Sequence, residues 1–146
     1  MSRMLRNKVH VIPQEHLRRM EMAASIAMLE LSTGFRRHVN MTLRDMFVLM
    51  SAPRHGDEAW RARLHDLARD LQSVGGSFDY RLLSIVGEAM CRIIRDEDLA
   101  SEDDLQRKLA AYAAALDAIV RIDLRGDGGD DGRALLSVLR IPAPAA

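Results

Sequence analysis

Cysteine, lysine, aromatic side chains and net charge are all scarce in this chain, and each scarcity excludes something. The only cysteine is Cys91, inside an apolar run, which rules out a disulfide framework and a thiolate metal site and points to a reducing, cytoplasmic setting. Lysine plus arginine and aspartate plus glutamate stand at 21 each, so no long-range field draws the chain to nucleic acid or to an anionic membrane. Arg61, Arg63, Arg69 and Arg81 are interleaved with Asp57, Glu58, Asp66, Asp70 and Asp79, the pattern of a solvated face and not of a nucleic-acid groove. No apolar run reaches membrane-spanning length, and Met1 to Arg18 carries charges throughout, so the expectation is a soluble protein without a signal peptide. The histidines, His10, His16, His38, His55 and His65, have no ligand spacing with one another or with the cysteine, and no serine sits in a G-x-S-x-G elbow. Metal and cofactor chemistry and nucleophilic hydrolysis are therefore not expected.

Aromatics make up 4% of the chain and hydrophobic residues 48%. The surplus of leucine, alanine, methionine and arginine favours helix, and no alternating strand pattern appears. Pro13 suits the first turn of a helix. From there Leu17, Met20, Ala24, Ala27, Leu31, Phe35, Val39, Leu43, Met46 and Met50 recur at intervals of three and four. They form one long stripe expected in the core, which Gly34, Asn40 and a Thr42–Asp45 capping pair could kink or break between Phe35 and Thr42. The turn Ser51 to Gly56 precedes a second helix opening at Asp57 or Glu58 and ending at Gly75-Gly76, where glycine favours a left-handed cap. A third helix is read from about Asp79 to Arg95, and a fourth follows the Ser101–Asp104 capping pair, with Leu105, Leu109, Tyr112, Leu116, Ile119 and Val120 on its stripe. The loop Arg125 to Gly132 lacks the register of a calcium loop and the lysine of a phosphate loop, so it reads as a structural turn before a short helix from about Gly132 to Leu139. The fold class expected is all-α, an antiparallel four-helix bundle with a long first helix and a short last one. Residues 1–12 would form an arm, 13–141 a single domain and 142–146 a tail.

In the second helix, Trp60, Leu64, Leu67, Leu71 and Val74 share the core stripe, which turns Arg69 away from the core with His65 and Gln72 one turn to either side. That outer face is the candidate functional surface.

The segment Leu67-Ala68-Arg69-Asp70-Leu71-Gln72-Ser73-Val74-Gly75-Gly76-Ser77-Phe78-Asp79-Tyr80 resembles the phosphoacceptor segment of histidine phosphotransfer (Hpt) domains. It is nearest to a group of small bacterial Hpt-like proteins whose motif reads approximately A-H-D-L/I-R/K-G-Q-G-G-S/T-F-G-Y. The likeness extends to Leu83-Ser84-Ile85-Val86-Gly87-Glu88-Ala89-Met90-Cys91-Arg92 and to Leu124-Arg125-Gly126-Asp127-Gly128-Gly129, so it runs from about Leu43 onward. The departures fall at the chemical centre. Arg69 stands where the family carries its phosphorylated histidine, Gln72 where a basic residue helps hold the phosphoryl group, Ser73 and Asp79 where the family has glycines. A guanidinium stays protonated and cannot accept a phosphoryl group as a neutral imidazole does.

The resemblance thus implies a docking surface without phosphotransfer chemistry, not an enzyme, in which His65, Asp66, Arg69, Gln72, Ser73 and Gly76 contact a response-regulator receiver domain or a histidine kinase. Arginine suits an acidic receiver pocket because it pairs with carboxylates in a planar, bidentate way. The alternative within the same class makes His65 the phosphoacceptor with Arg69 as its neighbouring cation. A third reading is a helical scaffold that forms a homodimer through the methionine-rich first helix.

Overall fold

The computed structural model describes residues 13–51, 58–96 and 102–142, and over these the chain is all-helical. Five helices follow in order: α1 Gln14–Met50, α2 Glu58–Ser77, α3 Arg81–Arg95, α4 Glu102–Arg121 and α5 Gly129–Val138. No strand occurs among the described residues, and no helix there is long and apolar enough to cross a membrane. The expected arm, the 52–56 part of the turn, Ser101 and most of the tail lie outside the described residues.

The chain divides into two compact units, at Gly34 and Phe35. In the first, residues 14–34 are helical and almost wholly exposed. In the second, Phe35, Val39, Leu43 and Met46 of α1 are buried with Trp60, Leu64, Leu67 and Leu71 of α2, Leu82, Leu83, Val86 and Met90 of α3, and Leu109, Leu116 and Ile119 of α4. These are the stripes that the three- and four-residue spacing predicts, except that Leu17, Met20, Ala24, Ala27 and Leu31, expected in the same core, are exposed. Helix α1 continues through Gly34 and Asn40, and Thr42 does not cap a new helix. Its hydroxyl donates back to the His38 carbonyl at 2.9 Å, inside the helix.

Cross-helix contacts set the directions within the second unit. Trp60 Nε1 donates to the Leu49 carbonyl at 2.8 Å while Asp70 meets His38, so this part of α1 and α2 run antiparallel. Arg61 reaches the Ile94 carbonyl, the Cys91 thiol the His65 carbonyl, and Ser84 Oγ the Gln72 carbonyl, so α2 and α3 also run antiparallel. Gly87 allows that pairing to be close. A Cβ at this position would lie 3.1 Å from the Ala68 carbonyl oxygen and the Gln72 backbone nitrogen.

Helix α2 does not stop at Gly75-Gly76 as the glycines suggest. It continues to Ser77, and the left-handed residue that ends it is Asp79, with φ 61°. The Tyr80 backbone N–H then returns to the Gly75 carbonyl at 2.9 Å, the six-to-one closure of a Schellman motif. Gly75 serves a different need, since a Cβ there would sit 2.8 Å from Ser84 Oγ and 2.9 Å from both the Ser84 nitrogen and the Tyr80 oxygen. The same closure recurs twice. Asp123 at φ 58° precedes the Leu124 N–H bond to Ile119, and Arg140 at φ 57° precedes the Ile141 N–H bond to Leu136. Three helices therefore end on a left-handed residue that is not glycine.

Helix α5 begins at Gly129, earlier than the sequence suggests, and Gly132 lies within it against Leu82 and the Asp127 carbonyl, where a Cβ has no room. The preceding loop closes onto the α2–α3 turn: the Gly126 N–H donates to the Asp79 carbonyl at 2.6 Å, and the Leu82 N–H donates to Gly126 at 3.3 Å.

Candidate functional site

The surface singled out by the sequence lies on α2 where α3 packs beside it. Arg69, Asp66, Ser73 and Gly76 are exposed, whereas His65 and Gln72 are half-buried. A wheel for α2 alone turns the last two outward, but α3 approaches on that side because Gly87 has no side chain to hold it off. Ser84 Oγ donates to the Gln72 carbonyl at 2.7 Å, which fixes this turn of backbone. The Ser73 hydroxyl is turned inward to the Arg69 carbonyl at 3.1 Å, so it offers no free donor in this state.

The Arg69 guanidinium has no ion-pair partner among the described residues. Its sequence neighbour Asp70 is engaged elsewhere: Asp70 Oδ2 lies 2.5 Å from His38 Nε2 and 3.3 Å from Thr42 Oγ1. This His38–Thr42–Asp70 cluster was not anticipated. His38 and Thr42 are one turn apart, but their partner lies 32 residues from His38 in sequence and only the pairing of α1 with α2 brings it near. Both His38 and Asp70 are about half exposed, which makes the pair a surface interaction of modest strength.

His65 is held by its carbonyl, which accepts from Cys91 Sγ at 3.9 Å. Its ring Nε2 is enclosed and has no hydrogen-bond partner. A phosphoryl donor cannot reach that atom without the side chain first swinging out. Cys91 itself is buried, and burial pushes its thiol up, with nearby Arg95 and Arg69 pulling it down and Glu88 pushing it up. A thiol held protonated is a poor nucleophile.

A second polar cluster sits at the end of the second unit where the loop after α4 meets the α2–α3 turn. The Tyr80 hydroxyl donates to Asp123, Arg125 Nε lies 3.2 Å from the same carboxylate, and Arg36 lies 3.7 Å from it. The Arg125 guanidinium also lies 5.3 Å from the centre of the Tyr80 ring, and Phe35 stacks on both Phe78 and Tyr80. The Tyr80 hydrogen bond holds the Asp123 carboxyl below the usual range even though burial opposes it, with Arg125 and Arg36 helping. Burial, then the same carboxylate, pushes the Tyr80 phenol up. All these groups satisfy one another, so the cluster fastens the loop and presents no open site. Among the described residues no group of three histidine, cysteine, aspartate or glutamate side chains is placed to hold a metal ion.

No family model, curated protein or solved structure matches this chain.

Proposed function

We propose that the chain is a histidine-phosphotransfer-like module without phosphotransfer chemistry, a binding protein that docks on a receiver domain or a histidine kinase in the cytoplasm. In this reading α1 from Phe35, α2, α3 and α4 form the antiparallel four-helix bundle, and α5 closes one end. The observation that carries it is Arg69. It occupies the acceptor position of a motif that is retained in part and is exposed, with no ion-pair partner among the described residues. An arginine so placed can form a bidentate pair with a carboxylate of an acidic receiver pocket, while it cannot take up a phosphoryl group. Asp66, Ser73 and Gly76 supply the exposed surroundings, and His65 and Gln72 the half-buried margin toward α3.

Receiver domains and kinase cores immobilised on a sensor and titrated with the protein test this. Binding by the wild type that falls at least tenfold with Arg69→Glu, without change in the far-ultraviolet circular dichroism spectrum, is the expected result. Equal binding by the two proteins removes the basis of the docking surface. Incubation with phosphorylated receivers addresses the chemistry. Acid-labile phosphate on the wild type that disappears in His65→Ala would make His65 an acceptor and overturn the reading. The enclosed Nε2 of His65 argues for no label.

A further inference from the structure

The first unit poses a problem that the docking surface does not touch. The spacing that buries Phe35, Val39, Leu43 and Met46 continues toward the N-terminus through Leu31, Ala27, Ala24, Met20 and Leu17. These five residues are exposed, Met20 at 55% and Leu31 at 57%. From Met22 to Leu29 the helix carries no charge. An apolar stripe left uncovered along a helix belongs in an interface and not in water.

The chemistry of the segment selects the occupant. Residues 14–34 hold three carboxylates, Glu15, Glu21 and Glu30, against two guanidinium groups, Arg18 and Arg19. A helix that lies on an anionic lipid surface needs a basic polar face, which this one lacks. Leu17, Met20, Ala24, Ala27, Leu31 and Gly34 alternate steps of three and four, the repeat of a two-stranded helical seam.

We propose that residues 14–34 pair with the same segment of a second copy, running antiparallel. In that register Leu17 of one chain faces Gly34 of the other, Met20 faces Leu31, and Ala24 faces Ala27, and symmetry repeats each layer. The large Leu17 side chain fills the space opposite glycine, and the alanine layers at the centre let the backbones come close. A parallel pairing sets Gly34 against Gly34 and leaves a gap there. Gly34 has open space where its Cβ would be, and none of the described residues occupies the position. A segment of 21 residues is about 31 Å long, and two such helices packed along one seam bury on the order of 1,000 Å² in total, the threshold of specific association. The partner is thus a second copy of this chain.

Light scattering on the full chain over a concentration series gives the mass. The expected value is twice the 16.4 kDa of the chain, returning to the single value with Ala24→Glu and with Ala27→Glu, while Ile26→Glu on the opposite face keeps the dimer. All three positions are exposed, so the variants keep the folded core, which the circular dichroism spectrum monitors. For orientation, the double variant Ala24→Cys with Ala27→Cys should form a covalent dimer on oxidation, and Ala24→Cys alone should not. A strictly monomeric wild type at 100 μM overturns the proposal, as does a dimer that survives Ala24→Glu or one that crosslinks through a lone cysteine at position 24. Binding of the wild type to vesicles of anionic lipid, lost in Ala24→Glu, would assign the face to a membrane instead.

Discussion

At the scale of single residues, the helix ends hold unspent stability. Asp79, Asp123 and Arg140 occupy left-handed positions that glycine takes without steric cost. Aspartate tolerates this conformation better than most residues, and Asp123 uses its side chain to bind Tyr80. The Asp79 side chain has no such partner among the described residues. Asp79→Gly is therefore expected to stabilise the protein by about 0.5–1 kcal/mol, read as a higher urea midpoint. Gly75 and Gly76 give the opposite lesson. Neither has a left-handed backbone, yet Gly75→Ala places a methyl group within 2.9 Å of the Ser84 nitrogen and the Tyr80 oxygen, whereas at Gly76 the nearest atom is Ser84 Oγ at 3.7 Å. Gly75→Ala should cost about 2 kcal/mol or more in a denaturation experiment, and Gly76→Ala should be neutral or stabilising by up to about 1 kcal/mol. The sequence marks both glycines as a helix stop because their common use is the left-handed cap. Nothing local distinguishes a glycine kept for turning from one kept for closeness, since the distinction lies in Ser84 and Tyr80 beyond the turn.

At the scale of elements, the legible part is the set of buried stripes. Leu64, Leu67 and Leu71 on α2, or Leu109, Leu116 and Ile119 on α4, follow from a period that any helix with one dry side must obey. The candidate surface was legible only in part. Arg69 is as exposed as its wheel position requires, but His65 and Gln72 are half covered because Gly87 draws α3 toward them, and the period of α2 contains no information about its neighbour. The His38–Asp70 contact is hidden for the same reason. The joint between the α2–α3 turn and the loop after α4 has a defined pH response. Asp123 sits below the ordinary carboxylate range, so folding favours its ionised form; that contribution is present above about pH 4 and fades as the pH falls through the lowered value. Tyr80 sits above its usual value near 10, so folding favours the protonated phenol, and this part is present below about pH 10 and is lost as the pH rises through the raised value. Tyr80→Phe should lower stability by about 1 kcal/mol at neutral pH, discounted because the carboxylate is partly exposed. Urea midpoints for wild type and Tyr80→Phe should converge below pH 3, and a constant gap across that range would show that the hydrogen bond is not the source of the difference.

At the scale of the whole molecule, the two units rest on different physics. The described residues from Phe35 onward share an apolar core of their own. Residues 14–34 have a helical period and no covered face of their own. Composition alone foretold an all-helical chain, but it could not foretell this division, because the same stripe crosses it without a change of phase. Trp60 separates the two behaviours optically. The one indole of the chain is buried in the core of the second unit, with its N–H bonded to the Leu49 carbonyl. Its emission therefore tracks the seating of the C-terminal part of α1 on α2, while loosening of residues 14–34 registers only as lost ellipticity. Two spectra of one sample resolve, without any label, which unit yields first.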